Sequence, residues 1–244
     1  GLLLALTLPV SVPYWVPVVG GFFAMIVVKG LGGGLGQNTF NPALAARALL
    51  VLLFPAVMTR FAPVGTAISS ASMSVDMVSA ATPLHHMVMP ELPNVSLLDA
   101  FLGNLPGSIG EVSALALLIG GAYLVIRKVI SLRIPVAYLA TVAVLTLIFN
   151  KGQDPVLWMA YNLLCGGVLL GAIFMATDYA TSPVTPLGQM VYGVGCGVLT
   201  VVFRYFGLFP EGVTYAILLM NACAWALDRI TPPRRFTSLP GGAK

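Results

Sequence analysis

The sequence predicts an all-α integral membrane protein, a polytopic helix bundle with discontinuous helices. Three observations carry this. The 244 residues are 58% hydrophobic and only 8% charged, whereas a soluble domain carries about 25% charged residues. The mean hydropathy is +0.96, which implies more apolar surface than a soluble fold of this size can hide. Uncharged stretches reach helix-spanning length, and the period-two alternation of a membrane barrel is absent. The net charge of +4 leaves no nucleic-acid footprint, because the basic residues sit at segment ends.

Taken in order, Gly1 to Val28 is uncharged but interrupted by Pro9, Pro13 and Pro17. It reads as the end of one helix, a bend and a second helix ending near Lys29. The Gly-rich stretch Gly30 to Thr39 is a loop. Asn41-Pro42 then opens a helix, with Asn41 as N-cap and Pro42 at the first position, running to about Arg60. Phe61 to Gly107 is the one long polar interval. Ser108-Ile109-Gly110-Glu111 reads as a capping box opening a helix that ends at Arg127-Lys128. Ile134 to Asn150 is the next apolar segment. Asp154-Pro155 starts another, running to about Thr177. Ser182-Pro183 opens a helix that ends near Arg204, and the last helix spans about Gly212 to Leu227.

Cys165, Cys196 and Cys223 sit in apolar segments without a Cys-x-x-Cys pair and are expected in the core. Trp15, Trp158 and Trp225 suit an interfacial belt. His85-His86 reads as a solvated loop pair, since no third metal ligand is near.

Loop charges orient the chain. With Arg127, Lys128 and Arg133 on the cytoplasmic side, only Arg60, Lys151 and Arg204 fall outside, which obeys the positive-inside rule. The polar interval is then extracytoplasmic. A weak internal symmetry relates Gly1 to about Arg60 with Ser108 to about Arg204. In each unit an apolar segment leads to a polar loop and a Pro-initiated helix, as in the inverted repeats of transporter folds. The N-termini capped by Asn41 and Ser182 are expected to converge. The resulting division is 1–60, a first, partial membrane repeat; 61–107, the extracytoplasmic loop; 108–227, a second repeat and final helix; and 228–244, a basic cytoplasmic tail.

The polar interval holds Asp76-Met77-Val78-Ser79-Ala80-Ala81-Thr82-Pro83. This resembles the acceptor motif of flavin transferases: Asp, two variable residues, Ser or Thr, a small residue, Ala, Thr. Small residues let an enzyme approach the backbone, and Pro83 keeps Thr82 extended.

Four further stretches converge with this motif. They are Gly36-Gln37-Asn38-Thr39-Phe40-Asn41-Pro42, Gly103-Asn104-Leu105-Pro106-Gly107-Ser108-Ile109-Gly110-Glu111, Phe174-Met175-Ala176-Thr177-Asp178 with Thr181-Ser182-Pro183, and Pro210-Glu211-Gly212-Val213-Thr214-Tyr215 with Leu219-Met220-Asn221-Ala222. Together they resemble the RnfD component of the Rnf complex, an ion-translocating ferredoxin:NAD oxidoreductase. The related family is the NqrB component of the sodium-translocating NADH:quinone reductase.

The resemblance implies a urea-transporter-like fold of two inverted repeats and FMN esterified to Thr82. It implies residence in a bacterial or archaeal cytoplasmic membrane. The partners it implies are flavin and iron–sulfur subunits, a flavin transferase for maturation, the lipid bilayer, and Na+ or H+ as coupling ion. It also implies riboflavin as a second flavin, at one remove, and further helices before Gly1. The chain is then an electron-transfer subunit, not catalytic alone. The alternatives are the quinone-reductase component and a non-redox solute channel of the same fold. Asp76 and Ser79 belong to the attachment motif. Asn38 and Asn41 suit flavin carbonyls and ring nitrogens, and Asn41 also suits a plain cap. Arg47 must face a partner or cavity, or snorkel to the interface. For Asp178, pairing with Arg47, cation binding and an interfacial position all stay open.

Overall fold

The computed structural model describes residues 1–34, 36–61, 92–93, 95–206 and 212–232. The Thr82 motif, with Asp76, Ser79 and His85-His86, lies outside the described residues. Every element among the described residues is helical. α1 is Leu2–Leu6 and α2 is Trp15–Phe22, continuing as a π-helical stretch over Phe23–Leu31. α3 (Pro42–Leu53) and α4 (Pro55–Met58) follow. After the undescribed interval come α5 (Leu97–Leu102), α6 (Ala114–Ile126) and α7 (Arg133–Ile148). α8 (Pro155–Leu164) bends by 61° into α9 (Val168–Leu170) with its π continuation Gly171–Met175. α10 (Pro186–Phe206) and α11 (Val213–Ile230) close the chain.

α10, with 21 residues, and α11, with 18, are apolar and long enough to cross a membrane, and the bent α8–α9 pair reaches that length only when its two parts are counted as one span. At ~1.5 Å per residue, α10 covers about 30 Å, the thickness of a bilayer's hydrocarbon core. The chain is thus a multi-pass membrane protein, and its outward-facing Leu, Val and Ile side chains meet lipid or other subunits rather than water.

Several helix starts follow local chemistry. Asn41 caps α3 through Oδ1, which accepts from the amides of Ala43 at 3.0 Å and Leu44 at 3.4 Å. Asp154 caps α8 through Oδ1 in the same way, from Val156 at 3.0 Å and Leu157 at 3.4 Å. Both are followed by Pro at the first helical position, where no amide hydrogen is needed.

Other starts differ from expectation. α3 stops at Leu53, not Arg60, because Pro55 forces Phe54 out of the helical region, to φ −130° and ψ 54°. The helix expected from Ser182-Pro183 begins instead at Pro186. Asp228, in the last turn of α11, takes the amides of Val184 at 3.0 Å and Thr185 at 3.3 Å, so these residues stay outside the helix. The expected capping box fails as well. α6 begins at Ala114, and Ser113 caps it by accepting from the Ala116 amide at 3.2 Å.

The Ser108–Glu111 stretch is drawn elsewhere. The amides of Ile109 and Gly110 donate to the carbonyls of Leu8, at 3.1 Å, and Leu6, at 2.7 Å. This ties the chain's beginning to the approach of α6.

The main core joins α7, α9 and its continuation, α10 and α11 around Tyr138, Val142, Leu170, Tyr192 and Ile217. Leu44 of α3 belongs to the same core, while α1, α2 and α3 share a second one around Leu4, Val16 and Leu50. Gly193 and Gly197 sit one turn apart on α10. A Cβ there would stand 2.8 Å from the Ile134 carbonyl oxygen and 2.7 Å from Thr141 Cβ. Small residues at this spacing let α7 and α10 approach at backbone distance.

Two residues depart from their expected places. Trp158 belongs to the interior, only 1% exposed, and its Nε1 donates to Tyr205 Oη at 2.7 Å. Trp15 and Trp225 do face outward, the latter under the Arg229 guanidinium at 3.8 Å. Cys165 and Cys196 are buried, but Cys223 faces outward.

Candidate functional site

Two interruptions of the helical framework meet inside the molecule. The first lies between Leu31 and Pro42; the second spans Cys165 to Gly167. Asn41, at the end of the first, joins α3 to the end of the α9 continuation, since its Nδ2 donates to the Met175 carbonyl at 3.2 Å. With the Asn221 amide turned to satisfy both its oxygen and its nitrogen, Oδ1 accepts from the Asn41 backbone amide at 3.1 Å, and Nδ2 donates to Tyr192 Oη at 2.5 Å and to the Ile217 carbonyl at 3.3 Å. Asn41, Asn221 and Tyr192 are all buried. The element that meets the start of α3 is therefore the end of the α9 continuation, not the start of α10.

Arg47 lies two turns into α3, 5% exposed. Its Nη1 contacts Glu111 Oε1 at 2.5 Å, and the two side chains are 6% and 5% exposed. Glu111, expected to cap a helix, thus neutralises a buried guanidinium. Asp178 is not the partner of Arg47. It is half-buried and accepts from Thr181 Oγ1 at 3.1 Å. Asn38 is buried and donates through Nδ2 to the Phe40 carbonyl at 3.1 Å, bracing the loop ahead of α3.

The ion pair is wedged against the second break. A Cβ at Gly167 would lie 2.6 Å from Glu111 Oε1, so only glycine leaves the carboxylate its place. Gly166 beside it has φ +75°, which glycine adopts without strain. A cavity of about 10 Å³ opens here, lined by Leu44, Arg47, Glu111, Gly167, Met175 and Thr214 among others, room for about one water molecule.

A second buried arginine closes the same break from the other side. Arg204, 5% exposed, donates through Nη1 to the Asn162 carbonyl at 2.6 Å and through Nη2 to the Cys165 carbonyl at 3.1 Å. These are orphan carbonyls of the last turn of α8. Arg204 is therefore an interior group and not a loop charge, which corrects its place in the charge-based orientation; Glu111 is interior as well. At the loop joining α7 and α8, Lys151 lies 4.6 Å from the Tyr205 ring centroid, and partial burial lowers its pKa.

The structure brings together Asn41 and Arg47 at the junction of the breaks, whereas Asn38 and Asp178 spend their resolved side-chain contacts on their own loops. The cavity beside Arg47 is far below the roughly 300 Å³ of a small-molecule pocket. Glu111, Asn221, Tyr192, Arg204 and Gly167 do not stand out from sequence as site residues. The available signal is a polar residue within an uncharged stretch, as at Asn162 and Asn221.

A profile of the NQR2, RnfD, RnfE family matches residues 1–237. The chain is 48% identical over 239 residues to the D component of the Na(+)-translocating ferredoxin:NAD(+) oxidoreductase complex of Acetobacterium woodii, covering 97% of this chain and 71% of that protein. It is 41% identical to the D component of the ion-translocating oxidoreductase complex of Stutzerimonas stutzeri, covering 97% and 74%. It is 40% identical to the D component of the proton-translocating ferredoxin:NAD(+) oxidoreductase complex of Clostridium ljungdahlii, covering 97% and 72%. With a match over nearly its whole length, this all-helical membrane chain belongs to the NQR2, RnfD, RnfE family.

Proposed function

We propose that the chain is the membrane electron-transfer subunit of an Rnf-type complex and carries FMN on Thr82 through a phosphoester. The observation that carries this is the acceptor pattern Asp76-Met77-Val78-Ser79-Ala80-Ala81-Thr82 in a chain of this family. A solute channel has no need of that pattern. The attached flavin supplies reversible uptake and release of electrons, while the protein supplies its placement. Covalent attachment keeps the flavin local without tight noncovalent binding.

The loop-charge pattern supports an extracytoplasmic Thr82 loop, in the cytoplasmic membrane of a prokaryote. The meeting of Asn41 with Met175 and Asn221 across a sequence separation of more than a hundred residues supports two membrane repeats, 1–60 and 108–227, of urea-transporter-like design. The partners are the other flavin and iron–sulfur subunits and a flavin transferase. The two relatives named for Na+ and for protons are 48% and 40% identical, so resemblance does not select the ion.

The test is flavin fluorescence in a denaturing gel after co-expression with a flavin transferase. Fluorescence is expected in the wild type, with the FMN mass on the Thr82 peptide, and is expected to vanish in Thr82→Ala. Fluorescence that survives in Thr82→Ala sinks the assignment.

A further inference from the structure

We infer that the Arg47–Glu111 pair and the cavity beside it form the point at which a single monovalent cation crosses this protein, Glu111 being shared in turn between Arg47 and the moving ion. The inference rests on the reading above of the chain as part of an ion-translocating complex.

Four observations lead there. First, both charges are deeply buried, at 6% and 5% side-chain exposure. Charges within a membrane protein interior are costly and mark ion or proton pathways. A buried pair is also a weak source of stability, since apolar side chains of like volume hold a core as well or better. Second, the pair sits where discontinuous elements meet: α3, the extended approach to α6, the Gly166–Gly167 break and the first turn of α11 at Val213 and Thr214. Ends of broken helices are where transporter folds hold their ions. Third, the cavity has a volume of about 10 Å³, enough for one water or one cation of similar radius and for little else. Its lining includes the carboxylate and Thr214, hard oxygen donors suited to such a cation. Fourth, Glu111 Oε1 would stand 2.6 Å from a Cβ at Gly167. The room around the carboxylate therefore depends on the bend of α8 into α9. A change in that bend opens or closes the place that an ion takes.

Arg47 serves as the resting counter-ion. While it holds the carboxylate, the site is electrically neutral and closed. When a cation takes its place, the guanidinium turns away from the carboxylate, and its return expels the ion. No bond is made or broken.

The complete complex carrying this chain, in sealed membrane vesicles, is given reduced ferredoxin and NAD+. Ion uptake per NADH formed is the readout. Glu111→Gln alone takes the carboxylate away from a buried guanidinium and is prone to misfold, so the main variant is Arg47→Gln with Glu111→Gln, which removes both charges together and is able to pair through its amides. Uptake per NADH is expected to fall by about tenfold or more, because an intramembrane ionisable group on an ion pathway is lost. Glu111→Asp keeps the charge one methylene short and is expected to lie between the double variant and wild type. Uptake that requires Na+ and persists with a protonophore identifies Na+; uptake that needs no Na+ and is abolished by the protonophore identifies the proton.

Wild-type uptake per NADH in the double variant overturns the inference. So does loss of assembly in the double variant combined with wild-type coupling in Glu111→Asp, which makes the pair structural. Absence of electron-driven uptake in wild-type vesicles overturns the functional reading itself, and the inference with it.

Discussion

The two interruptions that meet at the centre of the molecule are closed in opposite ways. The break before α3 is closed by its neighbours. Asn38 holds the Phe40 carbonyl, Asn41 caps the amides of Ala43 and Leu44, and Pro42 starts the helix. Gly33, Gly34 and Gly36 supply the left-handed turns ahead of it, at φ +111°, +89° and +80°. The break at Cys165–Gly167 is closed from a distance. Its carbonyls are taken by Arg204, some forty residues along the chain, and its glycine makes way for Glu111, more than fifty residues before it. A locally closed break tolerates the loss of one group, because water or an adjacent amide is at hand. A remotely closed break leaves several buried groups stranded together.

The largest effect is therefore expected at Arg204. Arg204→Met strips donors from the Asn162 and Cys165 carbonyls, and about 3 kcal/mol of stability should be lost, from ~1–3 kcal/mol for each stranded group. Thermal unfolding of the purified protein in detergent measures it. Arg204→Lys keeps the charge but not the forked geometry and should recover only part. A loss no larger than that of an exposed substitution would erase the contrast between the breaks.

Asn41 comes next. Asn41→Ala loses both the helix cap and the bond to Met175, and about 1–2 kcal/mol should go. Asn41→Ser sharpens the comparison: it keeps the capping oxygen but does not reach Met175, so it should restore roughly half in the same melt. Equal losses for Ala and Ser would mean that the bond to Met175, not the cap, dominates.

The smallest effect is expected at neither break. Ser108 is fully buried, and its Oγ meets no partner among the described residues. Ser108→Ala removes an unsatisfied hydroxyl, so stability should stay within about 0.5 kcal/mol or rise slightly. A clear drop in Tm would show that the hydroxyl is bonded to something beyond the described residues.

The same contrast separates what is legible in the sequence from what is not. The starts of α3 and α8 are readable because an Asn or Asp cap and the following Pro act within three residues. The proposed Thr82 attachment pattern can be read from sequence for a similar reason, since it is a short contiguous stretch. The Ser108–Glu111 stretch misleads because its spacing satisfies a capping box, and local spacing carries no word of a guanidinium 64 residues earlier. The start of α10 misleads likewise, since the carboxylate that holds Val184 outside the helix lies 44 residues on. Trp158 has the composition of an interfacial residue and becomes interior because Tyr205, 47 residues away, accepts its indole N–H.

By itself, then, the sequence determined that the protein is an all-helical membrane chain, its family resemblance and the candidate attachment residue, all through composition or contiguous pattern. The tertiary structure alone decided that Arg47 pairs with Glu111, that Asn41 meets Met175 and Asn221, and that Arg204 closes the bend. Those contacts exist only when distant segments are packed together, because a buried charge or orphan carbonyl takes whichever partner the fold brings within reach.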